Sequence, residues 1–222
     1  MINVTDGFRA RYPGARLGIL VMKGALNPPS HAGLDERKAE LESGLRTRYG
    51  AMDRAALRRL PVISAYDAYY RKFDKSYHVL AQLESVALKG KSLPRVAALV
   101  EAMFMAELEN QILTAGHDMA AVMEPVTLGV ASGAETYIGI RGREERCTAG
   151  DMMIFDSQGV ISSVLHGPDS RTCITPATTE ALFTSYAPEG VGGDALAAHL
   201  GMIEELVKLV SPAAEAAVKE IV

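Results

Sequence analysis

The feature that most constrains this chain is a change of hydrophobic period at about residue 120. Before it, apolar residues recur every three or four positions, as on one face of a helix. After it, short apolar runs alternate with turn residues, as in strands. Helices are predicted over residues 34–49, 53–59, 62–73, 76–88 and 96–113, with Asp35 and Glu36 at one start, Ser76 as an N-cap and Gly50 and Gly116 as stops. Tyr66, Tyr69, Tyr70 and Phe73 share one helical face, which reads as core. Strands are predicted over residues 126–130, 136–140, 152–155, 160–165, 172–174 and 181–186, a further buried strand over 15–22, and a last helix over 195–209 before an Ala-rich tail. Helices first, strands second and a final helix predict an α+β fold, with helices laid over a β-sandwich rather than alternating βαβ units. The early strand is expected to join the later sheet, making residues 1–222 one domain.

With 222 residues, 48% of them hydrophobic, the chain can bury roughly 70% of its unfolded surface and needs no staples. Its two cysteines, Cys147 and Cys173, show neither metal spacing nor a disulfide framework, which fits a reducing compartment. No apolar run approaches the ~20 residues of a membrane span and no signal-peptide core follows the N-terminus, so a cytoplasmic protein is expected. Net charge is −4, but residues 1–95 hold 17 basic and 9 acidic residues, net +8, leaving 6 basic against 18 acidic beyond, net −12. Such a division suits a polyanion on the basic half, or simply charged helical surfaces.

No P-loop, dinucleotide fingerprint, nucleophile elbow or metal-ligand cluster is present, and the five histidines are scattered, so neither a cofactor nor a metal is expected. Chemistry concentrates in His166-Gly167-Pro168-Asp169-Ser170-Arg171-Thr172, where two proton carriers, two hydroxyls and a cation fall in a turn between predicted strands. The same residues are also good turn formers. A second segment, Thr114-Ala115-Gly116-His117-Asp118, has small residues that let a ligand approach, or that end one helix and cap the next.

Together with Lys72-Phe73, Lys89-Gly90-Lys91, Leu93-Pro94, Leu99-Val100-Glu101, Gly150-Asp151, Phe155-Asp156, Ile174-Thr175 and Thr178-Thr179, these segments follow one another in an order that resembles freestanding B3/B4 domain proteins. These are relatives of the editing domain of the phenylalanyl-tRNA synthetase β subunit. The resemblance covers roughly residues 60–190. It implies a three-layer β-β-α arrangement and a module that takes the 3′ end of an aminoacyl-tRNA, with water as the nucleophile for a mischarged ester. By that resemblance Asp169 orients the water or an ammonium group, with His166 the alternative catalytic residue. Thr114, Ala115, Gly116, His117, Ser170, Arg171 and Thr172 line the substrate site, and Arg71, Lys72, Lys75, Lys89 and Lys91 hold tRNA phosphates. DNA and membranes are not expected partners. The chain departs from the family pattern at Ala115, where a histidine is usual, at Phe104 and at Pro168. The alternative is a non-catalytic module that keeps the fold and binds a small amino-acid-like ligand or a protein. Geometrically, residues 160–175 are expected to form two strands joined by a turn at Gly167 to Ser170, facing a pocket whose other wall includes residues 114–118.

Overall fold

The computed structural model describes residues 2–222. In chain order the elements are β1 (Asn3–Val4), α1 (Asp6–Arg11), β2 (Arg16–Lys23), α2 (Ala32–Tyr49), α3 (Arg54–Arg58), α4 (Pro61–Arg71), α5 (His78–Ala87), α6 (Ala98–Asn110), β3 (Thr114–Asp118), β4 (Thr127–Val130), β5 (Thr136–Ile138), β6 (Glu144–Arg146), β7 (Met152–Asp156), β8 (Gly159–Ser163), β9 (Gly167–Pro168), β10 (Glu180–Ala187), α7 (Gly193–Val210) and β11 (Glu215–Ile221). The fold is α+β. One sheet runs β1-β4-β7-β8-β9, a second runs β11-β2-β10-β3, and β5 pairs with β6 alone.

Strand alternation sorts the side chains into layers. From β2 and β10, Leu17, Ile19, Val21, Leu182 and Tyr186 enter the core shared with Leu128, Ile154 and Ile161 of the first sheet. Their neighbours Leu20, Met22, Ala181 and Phe183 face the other way, onto α2, α6 and α7. On the outer side of the first sheet, Met153 and Val160 are covered by Tyr137 and Cys147 of the β5–β6 hairpin. The tyrosine stripe of α4 is core and also joins the layers. The Tyr66 ring stacks on Tyr77 with centroids 4.2 Å apart. Tyr70 donates to the carbonyl of Val164 at 2.8 Å, and Tyr69 to Asp151 at 2.6 Å.

Four expectations are corrected here. First, α6 does not run to Leu113: it stops at Asn110, where Gln111 takes a left-handed φ of 61°. Residues 114–118 form a strand because β10 lies alongside to receive them. Second, the turn after β8 falls at residues 164–166, not at Gly167 to Ser170. Gly167 and Pro168 already pair back on Ser163 and Ser162, with Gly167 at φ +81°, and of residues 172–174 only Cys173 bridges, to His117. There the Asp169 side chain accepts from Thr172 N–H, a local closure that competes with a ladder. Third, the Ala-rich tail is strand β11, which lengthens the second sheet beside β2. At α5 the N-cap is Tyr77, without a side-chain bond, and not Ser76.

Candidate functional site

The second sheet ends at β3, and a cavity of about 310 Å³ opens beyond that edge. Its walls come from α6 (Val100, Met103, Phe104), the β3 edge (Thr114, Ala115, Gly116) and β9 (Gly167, Pro168), with Ile174 closing one side. Val100, Met103, Phe104 and Glu107 share one face of α6 at i, i+3, i+4 and i+7. His78 and Gln82 of α5 and Arg141 of the β5–β6 hairpin also border it. A shallower trough of about 360 Å³ shares His78, Gln82 and Phe104 and continues along Ala81 and Ser85 to residues 92–94.

One carboxyl lies in this apolar lining. Glu107 is 2% exposed, and burial pushes its acid up to about 8. Its Oε1 accepts the Thr114 N–H at 2.8 Å, while no cation lies within 4 Å among the described residues. The Thr114 bond follows from strand geometry. The carbonyl of Leu113 accepts from Tyr186, and Met119 N–H donates to the carbonyl of Glu180, so odd-numbered residues of this segment face β10. Even-numbered ones face the open edge, where Thr114 N–H meets Glu107 and Asp118 N–H meets the carbonyl of Thr172 at 2.7 Å. Gly116 lies midway, and its N–H makes no hydrogen bond with the described chain. A Cβ at Gly116 would stand 2.7 Å from Ile174 Cδ1, so glycine is what allows the two to close up here.

Of the residues singled out in the sequence, Thr114, Ala115 and Gly116 border the cavity, opposite Gly167 and Pro168. The others do not. Asp169 is 3% exposed, with Oδ1 accepting from the Thr172 N–H and hydroxyl and Oδ2 3.6 Å from Arg171 Nε. Arg171 in turn spans both oxygens of Asp156 at 2.9 Å. The Thr172 hydroxyl, committed to Asp169, accepts from His117 Nδ1 at 2.8 Å, which fixes that ring as the Nδ1–H tautomer. His117 is fully buried, its Nε2 meets no partner, and desolvation pushes its ionisation down to about 3. Ser170 is held through its N–H on the carbonyl of Ile138 at 2.8 Å. His166 Nε2 lies 3.0 Å from Thr148 Oγ1. Asp169, His117, Arg171 and Thr172 thus form a polar string behind the cavity wall, and His166 stands apart from both. The residue that sequence reading passed over is Glu107; the available signal was an acid on the apolar face of a Met- and Ala-rich helix.

The five basic residues expected at phosphates fall at the ends of α4 and α5. Arg71 pairs with Asp67 at 3.0 Å and Lys89 with Glu84 at 2.8 Å. Lys72 Nζ lies 5.7 Å from the Tyr12 ring centroid and 5.9 Å from that of Tyr69. Lys75 and Lys91 have no carboxylate within 4 Å among the described residues. No group of three His, Cys, Asp or Glu residues is placed to hold a metal ion among the described residues, and no helix is long and apolar enough to cross a membrane.

No family model matches the sequence, and no curated protein matches it. Among solved structures, the fold is similar to that of an N-terminal fragment of the phenylalanyl-tRNA synthetase β subunit from Pyrococcus horikoshii, with a TM-score of 0.50 and 9% sequence identity. The match covers 100% of this chain and 50% of that one, so this chain spans about half the length of the fragment it resembles. At that identity the likeness is one of fold: this chain is built like part of a synthetase β subunit.

Proposed function

We propose that the chain is a binding module for an aminoacyl group, carried on the 3′ end of a tRNA, with the amino-acid side chain in the cavity beyond β3. The observation that supports this most is the cavity itself. About 310 Å³ lies at the lower end of small-molecule pockets, the lining is mainly apolar with a few polar groups, and one side continues into a trough. That trough ends at residues 92–94, beside Lys91, where a phosphate backbone would leave the site. In this reading the cavity positions the ester and water is the nucleophile. Asp169 and its partners hold the loop rather than touch the ligand. Hydrolysis is the finer form of the reading, and release of amino acid from a panel of mischarged tRNAs is its readout.

The test is equilibrium binding of the same tRNAs charged and uncharged, with Gln82→Trp at the cavity mouth as the variant. Gln82 is exposed on α5, so the substitution leaves the core alone. Charged tRNA is expected to bind at least tenfold tighter than uncharged, and the variant to lose that margin. Equal binding of both forms, or none at low salt, overturns the reading. A second reading, a small amino-acid-like ligand without RNA, is favoured by the local pairing of Arg71 and Lys89, which reduces the charge available to phosphates. Tight binding of free amino-acid esters with no tRNA affinity would select it.

A further inference from the structure

Resting on the aminoacyl reading, we infer that Glu107 is a ligand-binding residue that selects compounds carrying a protonated amine next to a carbonyl, with the Gly116 N–H as donor to that carbonyl. A buried carboxyl without a counter-ion is costly unless something pairs with it. Glu107 has one protein donor, on Oε1, and borders an apolar cavity large enough for a ligand. An ammonium group is the complement that such a carboxylate lacks. The N–H of Gly116 is two residues from that of Thr114 on the same open edge of β3, a spacing of roughly 7 Å along a strand. A group bonded to Glu107 and a carbonyl bonded to Gly116 are therefore reached by one small molecule.

The charged surroundings leave this role to Glu107. From the hairpin comes exposed Arg141, and from α5 comes His78, whose ionisation is held below its ordinary range by desolvation. From α7, His199 approaches Thr114 Oγ1 at 2.6 Å and is pushed down to about 3 by burial, so it is neutral. The phenols of Tyr66, Tyr70, Tyr77 and Tyr186 are pushed up by burial and carry no charge. Among the described residues Arg141 is the one fixed cation on the lining, and it makes no ion pair with Glu107 within 4 Å, which leaves the carboxyl to a ligand.

Binding an ammonium requires the ionised form of Glu107, so the acid must release its proton when the ligand enters. The probes are methyl esters of phenylalanine, tyrosine, leucine and methionine, with the methyl esters of their des-amino counterparts as neutral controls. Calorimetry at pH 6.5 in two buffers of different ionisation enthalpy reads the proton count. With the acid at about 8, an amino ester should release ~0.9 proton, and a des-amino ester none. Glu107→Gln, checked for folding by its melting curve, should weaken the amino ester about tenfold or more and abolish proton release, while binding of the des-amino ester changes less than twofold. If amino and des-amino esters bind alike without proton release, the role of Glu107 is overturned and the cavity reading stands. If no ester and no charged tRNA binds the wild-type chain, both fall.

Discussion

Among the buried titratable side chains, Glu107, His117 and His199 carry large shifts and should dominate how stability responds to pH. The fold holds Glu107 as the neutral acid, raised from 4.5 to about 8, so its contribution is complete below pH 4.5 and is lost as pH rises through 8. His117 and His199 are held neutral, lowered from 6.5 to about 3, so their contribution is complete above pH 6.5 and is lost as pH falls towards 3. Two histidine limbs outweigh the one acid limb until about pH 6.5, so melting temperature should peak near pH 6.5 and fall on both sides. Glu107→Gln removes the alkaline limb and should melt above wild type at pH 8.5. A wild-type melting temperature that is flat from pH 6 to 8.5 would contradict the buried acid. At Asp169 the expectation is structural. Asp169→Ala leaves the buried Thr172 hydroxyl and the Arg171 guanidinium short of a partner, costing about 1–3 kcal/mol in urea unfolding. Ligand affinity of the folded variant should stay within about twofold; a large loss of affinity would bring Asp169 back into the site.

Among the elements, α2 and α6 are clamped by one buried ion pair. Lys38 Nζ meets Glu101 Oε2 at 2.6 Å, and Glu101 Oε1 also accepts Val96 N–H at 2.8 Å just ahead of α6. Removing one partner of a buried pair strands the other, so Lys38→Ala should cost about 3 kcal/mol. Arg37→Ala, one position away and paired with Glu40 in solvent, should change stability by less than about 0.5 kcal/mol. Equal effects in denaturant titrations would mean the clamp is not what holds these helices. Helix and strand periods made most elements readable, including β2 and α4, because their own side chains carry the pattern. Thr114–Asp118 has no strand pattern at all; two small residues and three polar ones become β3 only against β10. Glu215–Ile221 (EAAVKEI) has only Val218 and Ile221 as large apolar residues and buries no residue fully, because an edge strand beside β2 buries little.

At the scale of the molecule, the positive charge of the basic half is unevenly spread, because part of it is paired with acids of the same half. Arg58 and Arg71 share Asp67, and Arg54 and Lys89 share Glu84, so two carboxylates offset half the charge of four cations of α3 to α5 and the turn after α5. If tRNA binds, Lys75→Ala with Lys91→Ala should lower the slope of log affinity against log salt by roughly 0.7–0.9 for each phosphate no longer neutralised, whereas Arg71→Ala should leave it near the wild-type value. Identical slopes for both variants would mean that the phosphate path lies elsewhere on the surface.

By itself the sequence determined the α+β class, the buried early strand, most helices and the tyrosine core stripe, since each depends on residues near one another in the chain. It also brought forward two segments, 114–118 and 166–172, and parts of both come to one cavity. Tertiary structure alone decided what each residue does there. Whether a carboxyl is tied to a neighbouring loop, as in Asp169, or lies in an apolar cavity with one donor, as in Glu107, depends on which distant strand or helix packs beside it. Local spacing does not encode that, because burial is set by the whole fold while the pattern reports only one element's face.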